Sequence, residues 1–236
     1  MARIVITGAS SGIGYQTALN LVTQGHQVLA LARSEHGLRD LKTAAEKHSG
    51  RTRFAVDILP FDVVWGAYTE SLVPFVRDHL GELDVLINNA GLLINKPFEE
   101  TSDSDFLDLF RTNVQGPANM TRHLLPLMSR GSHIVNIGSM GGFQGSVKFP
   151  GLSAYSATKA ALHALTECLA AELADRDIKI NCLALGSAQT EMLQKAFPQY
   201  KSPVTASAMG EYIAHFALAG HRFFNGKVLP VAVTTP

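Results

Sequence analysis

Six short runs rich in β-branched and apolar residues, alternating with longer stretches of helical pattern, constrain this chain more than any other feature. The runs are "RIVITG" (3–8), "QVLALA" (27–32), "RTRFAVDIL" (51–59), "LDVLINN" (83–89), "SHIVNIG" (132–138) and "IKINCLAL" (178–185). Several are apolar nearly throughout, as strands covered on both faces must be. Helical patterns fall near 12–24, 35–48, 65–80, 103–129, 154–175 and 205–219. Such alternation predicts an α/β fold, a doubly wound parallel sheet flanked by helices with right-handed crossovers. A last run, "GKVLPVAV" (226–233), is placed at a sheet edge, where Pro230 is tolerated. With no repeat or linker, residues 1–236 read as one domain. The least regular stretch, 186–210, follows a strand end, where a substrate lid would lie.

Composition removes several functions. Apolar residues make up 46% of the 236 and charged residues 17%, which fits a compact globule and argues against disorder. The formal net charge of zero gives no nucleic-acid footprint and no membrane-surface patch. No apolar segment is long enough to span a bilayer, and the first strand-like run starts at residue 2. A cytoplasmic protein without a signal peptide is therefore expected. Cys168 and Cys182 form no CxxC and read as buried small apolar residues in a reducing compartment. The nine histidines show neither HxH nor HExxH spacing, so no metal site is assigned.

"TGASSGIG" (7–14) joins the first strand to the first helix. Gly8 permits a tight turn, Gly12 lets backbone approach a pyrophosphate, and Gly14 allows close packing of helix on strand. Around them Ser10, Ser11 and Ile13 open a helix whose unpaired N–H groups suit phosphate. The second strand ends "ALARSE", with Ala32 where an acidic residue would bind the ribose 2′-hydroxyl of NAD, and then Arg33. Arg33 suits a 2′-phosphate, so NADP(H) is the expected cofactor. Tyr155 and Lys159 lie four apart in "AYSATKAAL" and share one helix face. A nearby ammonium favours the phenolate and should bring a phenol pKa of about 10 down towards a useful range.

Together these residues resemble the short-chain dehydrogenase/reductase family over nearly the whole chain. The glycine loop matches TGxxxGxG, and "FDV" (61–63) is similar to the Asp-Val after strand three. "NNAG" (88–91), "RTNVQG" (111–116), "IVNIGSM" (134–140) and YxxxK follow in the family's order. The resemblance implies a Rossmann-like fold and hydride transfer between a carbonyl and a secondary alcohol. It implies Tyr155 as general acid or base, Ser139 as hydrogen-bond donor to the substrate oxygen, and Lys159 lowering the Tyr155 pKa and binding the nicotinamide ribose. Asn113 would hold a relay water, distorting its helix. Asp62 would bond the adenine amino group, helped by the Val63 backbone. Asn89, Ala90 and Gly91 would line the cofactor ribose, and Gly186, Ala188 and Thr190 the nicotinamide. A homodimer or homotetramer is implied, pairing through the helices at 103–129 and 154–175.

The chain also departs from that family. The segment from Ser139 to Tyr155 is a few residues longer, Leu185-Gly186 replaces Pro-Gly, and the C-terminal Asp-Gly-Gly is missing. Phe143, Phe149, Leu152, Met192, Leu193 and Phe197 are candidates for an apolar substrate pocket. No cluster of Arg or Lys there points to an acidic substrate or a carrier protein, so a non-acidic small ketone or alcohol is expected. Two other readings stand beside the oxidoreductase: a non-catalytic NADP(H) sensor, and a lyase or epimerase on the same fold.

Overall fold

The structure, a computed structural model, describes residues 1–49 and 56–233. Seven parallel strands form one sheet in the order β3-β2-β1-β4-β5-β6-β7. They are β1 (Arg3–Thr7), β2 (Gln27–Ala32), β3 (Val56–Pro60), β4 (Leu83–Asn88), β5 (Met128–Ile137), β6 (Lys179–Leu185) and β7 (Val228–Val231). The order reverses between β1 and β4, so the crevice beyond their carboxyl ends is the place where such a sheet can take a ligand. Side chains alternate across the sheet as the pleat requires. Ile4 and Ile6 join a core with α1 (Gly12–Thr23), α2 (Glu35–Ser49) and α8 (Ala206–Ala219). Val5 joins the opposite core with α3 (Val73–Leu80), α5 (Gly116–Leu124) and the end of α6 (Ser153–Glu172).

Several boundaries move from the sequence expectation. Residues 51–55 of the expected third strand lie outside the described residues. The helix expected over 103–129 is α4 (Asp103–Phe110), a wide π-turn at Arg111–Gln115 and α5, ending at Leu124. Pro126, which has no N–H to donate, sits in a 3₁₀ turn, and Met128 already pairs with Leu83. The helix expected from 65 starts at Tyr68, also with a π-turn. Within 186–210 a short helix, α7 (Glu191–Ala196), forms on a Thr190 cap. Pro230 lies in edge strand β7, as expected. Cys182 is buried, but Cys168 is exposed, because it lies off the α6 face carrying Leu162, Thr166 and Ala170. No helix among the described residues is long and apolar enough to cross a membrane.

Several polar groups in this core are paired across elements. Asn88 donates to Asn136 (2.9 Å), Asn136 to Thr166 (2.9 Å) and Thr166 to the Leu162 carbonyl (2.8 Å), tying β4 and β5 to α6. His133, fully buried on β5, lies 2.9 Å from the Ala217 carbonyl through Nδ1 and 3.1 Å from Asn181 Nδ2 through Nε2. These partners suit a neutral ring that donates from Nδ1 and accepts at Nε2. Burial pushes its pKa down from 6.5 to about 4. Between those values the unfolded chain binds the proton and the folded chain does not, so stability falls on acidification. The loss expected from His133 is on the order of 3 kcal/mol. Thermal melts from pH 7 to 4 should show Tm falling through this window; a flat profile would contradict the neutral assignment.

Candidate active site

A cleft of about 860 Å³ opens at the carboxyl ends of the central strands. At one end lies the turn after β1. Gly8 and Gly12 adopt positive φ, 68° and 56°; Ser11 caps α1 without a side-chain hydrogen bond, and the first residues of α1 line the cleft. A Cβ on Gly14 would lie 2.3 Å from both the Gly8 carbonyl and the Asn89 amide, so only glycine fits there. Asn89 closes this corner by donating to the Thr7 and Gly8 carbonyls (2.9 and 3.1 Å). Thr7 Oγ1 accepts from the Asn89 and Ala90 amides, both at 3.0 Å.

Arg33 follows buried Ala32 at the end of β2, lines the cleft and is exposed. It makes no hydrogen bond or ion pair among the described residues. Asp62 Oδ1 accepts from the Val64 and Trp65 amides (2.7 and 3.4 Å), an Asx turn that leaves Oδ2 available. The Tyr68 hydroxyl holds the Val63 carbonyl at 2.6 Å.

At the other end β5 delivers Ser139, and the first turns of α6 deliver Tyr155 and Lys159. Lys159 is buried; its Nζ donates to the Ile137 carbonyl at 2.8 Å and lies 5.8 Å from the Tyr155 ring centroid. Burial takes the ammonium down to about 8. The Tyr155 phenol moves the other way. Burial raises it, the Ser139 hydrogen bond opposes this, and Lys159 is no cause of the shift. The expected lowering by Lys159 is therefore corrected: desolvation wins, and Tyr155 stands protonated at neutral pH.

Asn113 does not line the cleft. It is fully buried in the π-turn, accepting from the Leu92 amide (2.8 Å) and donating to the Leu92 carbonyl (2.9 Å) and Thr158 Oγ1 (3.1 Å). The space over Gly91 lies between Asn113 and Lys159: a Cβ there would be 3.4 Å from Asn113 Oδ1 and 3.6 Å from Lys159 Nζ. The distorted helix expected at Asn113 is thus present. Every other expected site residue lines the one cleft: Gly8, Ser10, Ser11, Gly12, Ile13, Gly14, Arg33, Asp62, Val63, Asn89, Ala90, Gly91, Ser139, Tyr155, Lys159, Gly186, Ala188 and Thr190.

The family model for short chain dehydrogenases matches residues 2–201. The chain belongs to this family. Among curated relatives, this short-chain dehydrogenase is 38% identical over 185 residues to the ketoacyl reductase HetN of Nostoc, covering 78% of this chain and 62% of that protein. It is 34% identical over 193 residues to the 3-oxoacyl-[acyl-carrier-protein] reductase FabG of Thermotoga maritima, covering 81% and 76%. A Shigella flexneri short chain dehydrogenase, solved as a complex with NADP, superposes with a TM-score of 0.86 at 27% identity, over 97% of this chain and 96% of that one.

Some residues of this short-chain dehydrogenase's site escaped the sequence reading. Leu92, Leu93, Ser187 and Tyr200 line the cleft, while Thr7 and Thr158 support it from behind. Thr7 opens the glycine motif and Thr158 lies within YxxxK without a role assigned to either, and Leu92, Leu93, Ser187 and Tyr200 lie outside the motifs. Phe143, expected in the substrate pocket, does not line this cleft; its ring meets His163 edge-on, with centroids 6.5 Å apart. The other five expected apolar residues line it.

Proposed function

We propose that this chain is an NADP(H)-dependent oxidoreductase interconverting a carbonyl and a secondary alcohol, with Tyr155 as general acid in reduction. The observation carrying this reading is the single cleft that joins a glycine turn, a free guanidinium and the Ser139–Tyr155–Lys159 group. The cofactor fits these residues: open N–H groups at α1 suit the pyrophosphate, and Arg33 suits a 2′-phosphate. Asp62 and the Val63 amide suit the adenine; Asn89, Ala90 and Gly91 suit a ribose; Gly186, Ala188 and Thr190 suit the carboxamide end. When bound, the nicotinamide supplies the hydride. Superposition on the NADP complex supports this cofactor without excluding NAD.

Tyr155, a phenol that burial moves further from ionisation, donates the proton that a reduced carbonyl oxygen needs. Ser139 supplies a hydrogen bond to the same oxygen as charge develops there. Lys159, held by the Ile137 carbonyl, keeps further N–H groups for a ribose and for the space beside Asn113 and Gly91, through which a water can return the proton. Names of relatives as ketoacyl reductases support reduction of a carbonyl. We read the chain as one working unit with residues 186–210 as lid. Phe106, Leu107 and Phe110, exposed on α4, support self-association into a dimer or tetramer.

The test is to titrate the purified protein with NADPH and NADH by cofactor fluorescence, then follow absorbance with a carbonyl panel. Tight NADPH binding and stoichiometric oxidation of cofactor by a carbonyl are expected. Binding without turnover of any carbonyl would favour the sensor, and product formation without net cofactor oxidation would favour the lyase or epimerase.

A further inference from the structure

Resting on the oxidoreductase reading above, we propose that the substrate is a neutral ketone bearing an aromatic group, and that Phe149 and Phe197 select it. The charges of the cleft lead to this. Four charged side chains line it: Arg33, Asp62, Lys159 and Glu191. Arg33 and Asp62 stand at the glycine-turn end, and Lys159 lies buried beside Tyr155, donating to Ile137. Glu191 is the one charged residue of the 186–210 segment that lines the cleft, and its carboxylate pairs with Lys195 at 2.7 Å. Beyond Tyr155, therefore, no cation lines the substrate end among the described residues.

Cations on nearby segments are mostly engaged. Lys148 Nζ donates to the Phe143 carbonyl (2.6 Å) and to Ser146 (2.7 Å), and Lys96 pairs with Asp105 at 2.8 Å. Lys201 is exposed and outside the lining. A carboxylated or phosphate-bearing substrate would lose hydration there without a charge partner. A neutral one would not.

The walls specify shape. Phe149 comes from the long segment after Ser139 and Phe197 from the end of α7, and both line the cleft. Their ring centroids lie 6.5 Å apart at 61°, an edge-to-face approach. Buried Met140 and Leu152 stand with them, as do Leu193 and Met192 of α7. The Tyr200 hydroxyl is already within 3.0 Å of Ser187 Oγ, so it needs no polar group from the substrate. A planar ring docking on this pair extends the aromatic contact, while its carbonyl is left to Ser139 and Tyr155.

Two ketones of similar shape test this: 4′-isopropylacetophenone and 4-acetylbenzoate, in which a neutral branched group of three heavy atoms stands in place of the carboxylate. Each is assayed with NADPH, beside a 3-oxoacyl thioester on an acyl carrier protein. The neutral ketone should exceed the carboxylate in kcat/KM by about tenfold or more, the scale set by one unpaired charge on desolvation. In Phe197→Ala and Phe149→Ala, the ratio of kcat/KM for 4′-isopropylacetophenone over 2-butanone should fall about tenfold, mainly through KM. Preference for the carboxylate or the carrier-bound thioester would overturn the proposal while leaving the oxidoreductase reading intact. Should neither variant fold, the wild-type ratio of the two aromatic ketones still decides. If the protein binds NADPH yet turns over no ketone or thioester, both readings fall together, a result distinct from reversed preference.

Discussion

Replacing Tyr155 by phenylalanine is expected to lower kcat for carbonyl reduction by about 10²- to 10⁴-fold, the range general acid catalysis supplies. Phenylalanine keeps the ring and removes only the hydroxyl, so α6 and its contacts should persist. NADPH affinity should change by less than about threefold, because the Lys159 ammonium stays anchored to the Ile137 carbonyl. The contrast between lost turnover and retained binding separates a proton donor from a structural residue. Stopped-flow mixing of the variant with NADPH and ketone provides the measurement. Turnover within about tenfold of wild type would mean that another group supplies the proton.

Arg33→Ala should weaken NADPH binding by about ten- to a hundredfold, the scale of charge-assisted hydrogen bonds to one phosphate. NADH, which lacks that phosphate, should bind nearly as before. Since Arg33 is exposed, the wild-type preference for NADPH should also shrink as salt rises. Titrations at two ionic strengths read both effects. Equal losses for the two cofactors would assign Arg33 to the turn rather than to the phosphate.

Much of this molecule is legible in its residues because local and global preferences agree. Ile4, Val5 and Ile6 are apolar on both sides of the strand, and β1 is covered on both faces. "TGASSGIG" forms the expected turn because its glycines sit where positive φ or close packing leaves no alternative. Other parts were hidden for physical reasons. The start of β5 at Met128 is masked by polar "SRGS", which the register absorbs as a bulge between Leu83 and Val85. Cys168 matches its apolar neighbours in type, and only the buried face of α6, carrying Leu162, Thr166 and Ala170, distinguishes it. The upward Tyr155 shift could not be read from the Tyr–Lys spacing, since spacing reports proximity and says nothing of desolvation. Thr158 and Leu92 became visible only once Asn113 was seen to reach them.

The π-turn at Arg111–Gln115 bears on how this chain tolerates insertions and deletions. A π-turn amounts to one residue added to an α-helix. Winding the same five residues as regular α-helix, or removing one from the α-helix on either side, would rotate everything downstream by about 100° relative to α4. Met120 and Leu124, now in the core, would swing away from it, and Asn113 would leave Leu92. Residue count and winding are therefore matched along this helix: the wide turn takes up one extra residue, and the phase it keeps holds Asn113 to the site and Met120 and Leu124 to the core.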